Sequence, residues 1–166
     1  MTVIETSSFS ALVKQLAEKL TAKKLIIATA ESCTGGWIAQ ALTSEPGSSA
    51  WFDAGLVTYS NESKERLLNV PADFLLFSGP GAVSEQVVTS MTQGVMDNSR
   101  ANLAIGVSGI AGPEGDALGK PVGTVWIAWQ WENKVSTKRF LFNGKRQEIR
   151  RAAVEAALLG VIELIS

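Results

Sequence analysis

The sequence predicts an α/β protein: a three-layer α/β/α sandwich around a mixed, mostly parallel sheet. Helix-like and strand-like segments alternate along the chain, an order that places helices on both faces of a sheet. Two late segments of weakly alternating polarity flank residues 132–134 and predict a hairpin, which makes the sheet mixed. The 166 residues, of which 46% are hydrophobic, suffice for one core, so we expect a single domain over residues 1–166.

The first half of the chain begins with an amphipathic helix, for which Ser7 or Ser8 is the expected N-cap. Asn61 is the expected cap of the third helix. The predicted order is helix, strand, helix, strand and helix, over residues 9 to about 24, 25–30, 37–42, 54–59 and 62–68.

The second half begins with loops at Pro71 and at residues 78–81, followed by a helix that Ser84 caps. The glycine-rich residues 109–120 lack periodicity and are predicted to be an irregular loop. The predicted order is helix, strand, two hairpin strands and helix, over residues 84 to about 98, 102–108, 122–131, 135–142 and 147–165.

Composition argues against several classes of protein. The net charge is −1 and no basic stripe runs along the chain, which disfavours nucleic acid as a partner. No apolar run is long enough to span a bilayer, and no signal-peptide pattern opens the chain, so we expect a cytoplasmic protein without membrane contact. With one cysteine and no histidine, we expect neither a disulfide nor a zinc site, and no cofactor.

The segment AESCTGGW (residues 30–37) places Ser32 and its neighbours between an apolar strand and a helix. A nucleophile at such a turn needs a base, and without histidine the base must be lysine, tyrosine, a carboxylate or metal-bound water. This pattern favours a Ser/Lys hydrolase. Cys33 is the rival nucleophile, although a lone cysteine beside a strand is more often buried packing.

The backbone of Thr34, Gly35 and Gly36 presents N–H groups at a helix start, where an anion or a developing oxyanion is favoured. The structural alternative is that Ser32 and Thr34 only cap the helix and the glycines allow close packing.

Lys64 is the candidate base because it follows the next strand by a few residues, and parallel strands place their carboxyl ends at one sheet edge. To act as a base it must lose its proton near neutral pH, which burial would favour. Tyr59, the only tyrosine, is expected to relay or orient that proton. A solvated lysine on a charged helix is the structural alternative.

Two further elements offer substrate contacts. Ser108 ends the third strand beside the glycine-rich loop, which satisfies neither the GxSxG nor the P-loop spacing. Arg146 belongs to a basic concentration at the start of the last helix, which is suited to a phosphate group or is simply solvated.

Taken together, these segments resemble the C-terminal domain of the competence/damage-inducible CinA family. The matching stretches span nearly the whole chain in the same order: AESCTGGW from residue 30, PGSSAWFDAGLVTYSNESK from 46, GAVSE from 81, VSGIAGPEG from 107 and KPVGTVW from 120. Stand-alone members of the family are nicotinamide-nucleotide amidohydrolases, and this chain is expected to be a stand-alone form.

The resemblance implies hydrolysis of the carboxamide of nicotinamide mononucleotide to nicotinate mononucleotide and ammonia, in pyridine nucleotide recycling. It implies that Ser32 attacks the amide carbon, Lys64 takes the serine proton and Tyr59 helps to position it. The expected oxyanion donors are the N–H groups of residues 33–36, including Cys33, and the expected substrate contacts include Thr34, Ser108 and Gly109. The family also suggests a homo-oligomer.

Two other functions stay open at this point. Residues 114–120 depart from the usual sequence of the family, which leaves room for a catalytically inactive nucleotide-binding or interaction module of the same fold. A thiol amidase that acts through Cys33 is the weaker alternative.

Overall fold

The structure, a computed structural model, describes residues 9–166. The predicted capping serines, Ser7 and Ser8, lie outside the described residues. A turn of 3-10 helix covers Ser48–Ala50. The remaining elements, in chain order, are α1 (Ser10–Lys23), β1 (Ile27–Glu31), α2 (Trp37–Thr43), β2 (Phe52–Val57), α3 (Asn61–Leu68), α4 (Ala72–Leu75), α5 (Glu85–Asp97), β3 (Leu103–Gly109), β4 (Thr124–Trp131), β5 (Lys134–Leu141) and α6 (Arg146–Ile165).

The five strands form one sheet in the order β2-β1-β3-β4-β5. β1 pairs in parallel with β2 and β3, whereas β4 is antiparallel to both β3 and β5. Every described strand except β4 therefore runs in the same direction. Helices α1, α2 and α6 pack on one face, and α3 and α5 pack on the other. The predicted α/β/α arrangement around a mixed sheet is confirmed.

The two faces of the sheet carry side chains of different size. Successive strand residues point to opposite faces, so Ile105 joins the α1, α2 and α6 side while Ala104 joins the α5 side. At Gly106 a Cβ would lie 2.7 Å from the Val88 carbonyl oxygen. The small residues thus let the backbone of α5 approach the sheet closely.

Helix α3 is held in place by an equally close contact with α5. A Cβ at Gly94 of α5 would lie 2.1 Å from the Leu68 carbonyl oxygen of α3. Because no side chain fits between them, α3 and α5 pack backbone to backbone. This packing fixes the position of Lys64, which α3 carries.

Local boundaries differ from the sequence-based expectations around β2 and α3. The second strand covers Phe52–Val57 rather than residues 54–59, since its ladder with β1 begins at Phe52 opposite Ile27. The N-cap of α3 is Ser60, whose hydroxyl accepts a hydrogen bond from the Ser63 N–H, so the prediction of Asn61 as the cap is wrong. The short helix α4 follows Pro71, where only a loop was expected.

Among residues 9–166, none of the helices combines the length and the apolar character needed to cross a membrane.

Candidate active site

Ser32 occupies the tight turn that joins β1 to α2. Its N–H donates to the Val107 carbonyl at 3.0 Å, and its own carbonyl accepts the Gly35 N–H at 2.9 Å. Gly35 and Gly36 have φ angles of +60° and +94°, which glycine adopts without strain. The glycine pair therefore lets the chain reverse into α2 directly behind the serine.

Lys64 reaches Ser32 from α3. Its side chain is only 1% exposed, and its Nζ lies 3.0 Å from Ser32 Oγ, 2.9 Å from the Thr58 carbonyl oxygen and 3.4 Å from the Tyr59 carbonyl oxygen. A neutral amine has two N–H groups and one lone pair. Two carbonyls and one hydroxyl match that set, since the carbonyls accept the two N–H groups and the lone pair accepts the serine proton.

Burial changes the acidity of both groups that flank Ser32. Removal from water disfavours the ammonium form and lowers the pKa of Lys64 to about 8. Burial also raises the pKa of the Cys33 thiol to about 12. A reactive thiolate is thus strongly disfavoured at neutral pH, while a neutral lysine amine is accessible.

Glu31 is a site residue that the sequence reasoning missed. It ends β1 and is 0% exposed, and its carboxylate accepts hydrogen bonds from the Thr34 hydroxyl at 2.7 Å and from the N–H groups of Ile38 and Ala39 at 2.9 and 3.0 Å. The N-cap residue of α2 is Gly36, which has no side chain to accept these N–H groups. Glu31 caps the helix in its place and holds the turn that carries Ser32.

The signal for Glu31 was present in the sequence. Glu31 is the only charged residue of β1 and ends it, and the helix that follows has a glycine at its N-cap position. A buried acid beside a helix start that lacks a capping side chain indicates a remote cap.

The Tyr59 side chain does not touch Lys64. Its hydroxyl, on a residue that is 58% exposed, accepts a hydrogen bond from Arg146 Nη2 at 2.7 Å, while Arg146 Nη1 donates to the Gly112 carbonyl at 2.6 Å. Tyr59 meets the lysine only through its backbone carbonyl. The expectation that the tyrosine hydroxyl relays or orients the serine proton is therefore corrected, because the chain leaves β2 before Tyr59 and turns the ring outward.

A cavity of about 190 Å³ opens beside Ser32. Its lining brings together residues that end or follow β1, β2 and β3, residues of α3 and α6, and the loop before α5: Ser32, Cys33, Tyr59, Asn61, Lys64, Ala82, Val83, Ser108, Gly109, Ala111 and Arg146. Most of the predicted site residues therefore meet here.

Thr34, Gly35 and Gly36 do not line this cavity. The Thr34 hydroxyl is bound to Glu31, and the Gly35 N–H donates within the turn to Ser32. The expected substrate contact of the Thr34 side chain and the expected oxyanion role of the Gly35 N–H are corrected accordingly. The Cys33 N–H, in contrast, has no acceptor in any other described residue.

Within residues 9–166, no group of three histidine, cysteine, aspartate or glutamate side chains is placed to hold a metal ion. The arrangement of a serine hydroxyl, a buried lysine and a backbone N–H without an acceptor in another described residue is suited to nucleophilic attack on a carbonyl group.

We expect Glu31→Gln to destabilise the protein by about 1–3 kcal/mol, because an amide nitrogen would replace one acceptor oxygen opposite a buried donor. Urea unfolding followed by circular dichroism measures this loss. The exposed Glu18→Gln is the matched control and is expected to unfold with the wild type. Equal midpoints for Glu31→Gln and wild type would contradict the capping role.

Comparison with known proteins assigns the chain to a family. It is 50% identical over 153 residues to "Nicotinamide-nucleotide amidohydrolase PncC" of Pseudomonas putida, covering 92% of this chain and 94% of that protein. It is 45% identical over 153 residues to the protein of the same name from Escherichia coli K12, covering 92% of each.

Solved structures agree with these relatives. A competence damage-inducible protein A from Klebsiella pneumoniae superposes with a TM-score of 0.89 at 41% identity, over 92% of this chain and 94% of that one. A CinA superfamily protein from Escherichia coli superposes with a TM-score of 0.91 at 34% identity, over 99% and 94%. Residues 9–165 match the CinA C-terminal domain, and the chain belongs to that family.

Proposed function

We propose that this protein is an amidohydrolase that converts nicotinamide mononucleotide to nicotinate mononucleotide and ammonia by a Ser/Lys mechanism. The names of its relatives, which are nicotinamide-nucleotide amidohydrolases, support this reaction and substrate. The observation that carries the mechanism is the 3.0 Å contact between Ser32 Oγ and the buried Lys64 Nζ. It supplies both a nucleophile and a base in a chain that contains no histidine.

In the first half-reaction Lys64, as the neutral amine, accepts the proton of the Ser32 hydroxyl. The serine oxygen forms a bond to the carboxamide carbon, and the carbonyl oxygen becomes an oxyanion. The Cys33 N–H, directly after the nucleophile, is placed to donate to that oxygen. The Thr58 and Tyr59 carbonyls accept the remaining protons of the lysine and stabilise the ammonium it becomes.

The tetrahedral intermediate then breaks its C–N bond. Lys64 returns the proton to the departing nitrogen, ammonia leaves, and the nicotinoyl group stays on Ser32 as an ester. In the second half-reaction Lys64 takes a proton from water, the resulting hydroxide attacks the ester, and the serine oxygen leaves with that proton. Nicotinate mononucleotide is released and the neutral lysine is restored.

The two halves of the substrate occupy adjoining cavities in this proposal. The 190 Å³ cavity beside Ser32 is smaller than the roughly 300–1,000 Å³ of typical ligand sites and suits the pyridine carboxamide. A neighbouring cavity of about 450 Å³ shares Ala111 and Arg146 with it and also contains Lys145. These two basic side chains suit the phosphate, which places Arg146 as a substrate-binding residue.

Three statements about the chain stay predictions: that residues 1–166 form a single domain, that the protein is cytoplasmic and that it forms a homo-oligomer.

We expect Ser32→Ala and Lys64→Met each to lower the turnover of nicotinamide mononucleotide by about 10³-fold or more, since each removes one half of a unit that acts together. Ammonia release by purified protein measures the effect. Cys33→Ala keeps its backbone N–H and is expected to retain most of the turnover, and the exposed Lys138→Met serves as the control for loss of a lysine.

Activity in Ser32→Ala would refute the serine mechanism, and its loss in Cys33→Ala alone would favour the thiol amidase. Tight binding of the nucleotide by the wild type without release of ammonia would favour the inactive binding module.

We expect kcat/KM to rise with pH through a midpoint near 8, because Lys64 accepts the serine proton only after it has lost its own. A pH–rate profile measures the rising limb. Tyr59→Phe removes the bond to Arg146 but leaves both carbonyls on Lys64, so its KM should increase while the midpoint stays in place. A midpoint near 10.5, or one that moves in Tyr59→Phe, would contradict this assignment.

A further inference from the structure

Arg150 contacts the turn that carries Ser32 from the side of α6. Its Nε donates to the Cys33 carbonyl at 3.0 Å and its Nη2 donates to the Thr34 carbonyl at 3.1 Å. No step of the proposed mechanism uses this residue, and the guanidinium group forms no salt bridge with a carboxylate among residues 9–166. Its two bonds instead go to consecutive peptide groups beside the nucleophile.

Both peptide groups that flank the Cys33 α-carbon are held through their carbonyl oxygens. The peptide before it is fixed because the Ser32 carbonyl accepts the Gly35 N–H, and the peptide after it is fixed because the Cys33 carbonyl accepts the Arg150 guanidinium. In a trans peptide the C=O and N–H bonds point in opposite directions. Holding each carbonyl leaves the opposite N–H of the same peptide to face away, which is the Cys33 N–H in the first peptide and the Thr34 N–H in the second. Arg150 reaches the first peptide through the Thr34 carbonyl, because that carbonyl shares its peptide with the Gly35 N–H that holds the Ser32 carbonyl.

Of these two N–H groups, the Cys33 N–H is the one that follows the serine directly and lies beside the cavity, since Thr34 does not line it. It has no acceptor in another described residue, and Cys33 lines the cavity beside Ser32. Backbone N–H groups next to a nucleophile are the usual donors to an oxyanion, and their value depends on being oriented before the reaction.

We propose that Arg150 is a positioning residue: its bond to the Thr34 carbonyl fixes the peptide between Thr34 and Gly35, whose N–H holds the Ser32 carbonyl, and so keeps the Cys33 N–H of the Ser32–Cys33 peptide aimed at the oxyanion. The inference rests on the proposed function. Arg150 does not touch the substrate, and its contribution is made through the backbone of the turn.

The guanidinium group suits this role better than an ammonium would. Its planar donors bind two acceptors at once in a fixed geometry. The group also lies 5.5 Å from the centroid of the Trp37 ring, and its Nη1 donates to the Gln147 side chain at 3.2 Å. These contacts restrict rotation of the Arg150 guanidinium group away from the two carbonyls.

The test compares Arg150→Lys and Arg150→Ala with the exposed Arg66→Met as the control. We expect kcat for nicotinamide mononucleotide to fall by about 10- to 100-fold in both variants, as a misplaced donor costs up to about two orders of magnitude. KM should stay within about threefold, and added guanidinium chloride at millimolar concentration should restore part of the kcat of Arg150→Ala.

A second readout separates positioning from general support of the fold. An analogue of the nucleotide with an aldehyde in place of the carboxamide forms a tetrahedral adduct with Ser32. The affinity of the Arg150 variants for the aldehyde should fall by the same factor as kcat. Their affinity for nicotinate mononucleotide, which forms no adduct, should equal that of the wild type.

Three results would overturn the inference: an unchanged kcat in both variants, an equal loss of affinity for the aldehyde and for the product, or a loss of kcat that matches a loss of folded protein in Arg150→Lys. A wild-type protein that releases no ammonia would instead overturn the proposed function, and the inference with it.

Discussion

The buried contact between Lys64 and Ser32 is the constraint around which the described structure is arranged. An amine that is almost fully removed from water needs polar partners, and the Thr58 and Tyr59 carbonyls supply them because β2 ends one residue earlier. The helix that carries the lysine is fixed by its backbone contact with α5 at Gly94. The depressed pKa of Lys64 is thus a consequence of packing on the α5 side of the sheet.

Ser32 is held by a separate set of contacts on the other side of the sheet. Glu31 accepts hydrogen bonds from two N–H groups in the first turn of α2 and from the Thr34 hydroxyl, while Arg150 donates to the carbonyls of Cys33 and Thr34. Glu31 thus binds the N–H and O–H donors of the turn and the helix start, and Arg150 binds the carbonyl acceptors of the turn. Ser32 and Lys64 are therefore held from opposite faces of the sheet and meet at its edge.

The fold and the proximity of Ser32 to Lys64 could be predicted from the sequence, because both depend on the order of strands and helices. Two buried strands in parallel bring the residues that follow them to one edge, whichever side chains those residues carry. The absence of histidine then limited the possible bases.

Contacts that depend on the direction of a side chain could not be predicted from the sequence. Tyr59 was expected to act through its side chain, but β2 ends two residues earlier than the sequence predicts. The Tyr59 ring therefore lies against Arg146, and only its backbone carbonyl contacts Lys64. Arg150 looked like one more basic residue of a solvated helix, since its partners are backbone carbonyls more than a hundred residues away. Periodicity cannot report a contact of that kind.

The most direct test of the account is mass spectrometry of protein that is acid-quenched within the first turnovers with nicotinamide mononucleotide. The account predicts that the peptide containing Ser32 gains the mass of nicotinate mononucleotide less water, and that the Ser32→Ala protein gains none at any position. Fragmentation that places the adduct on Cys33, or an adduct of the same yield in Ser32→Ala, would contradict the serine as the nucleophile.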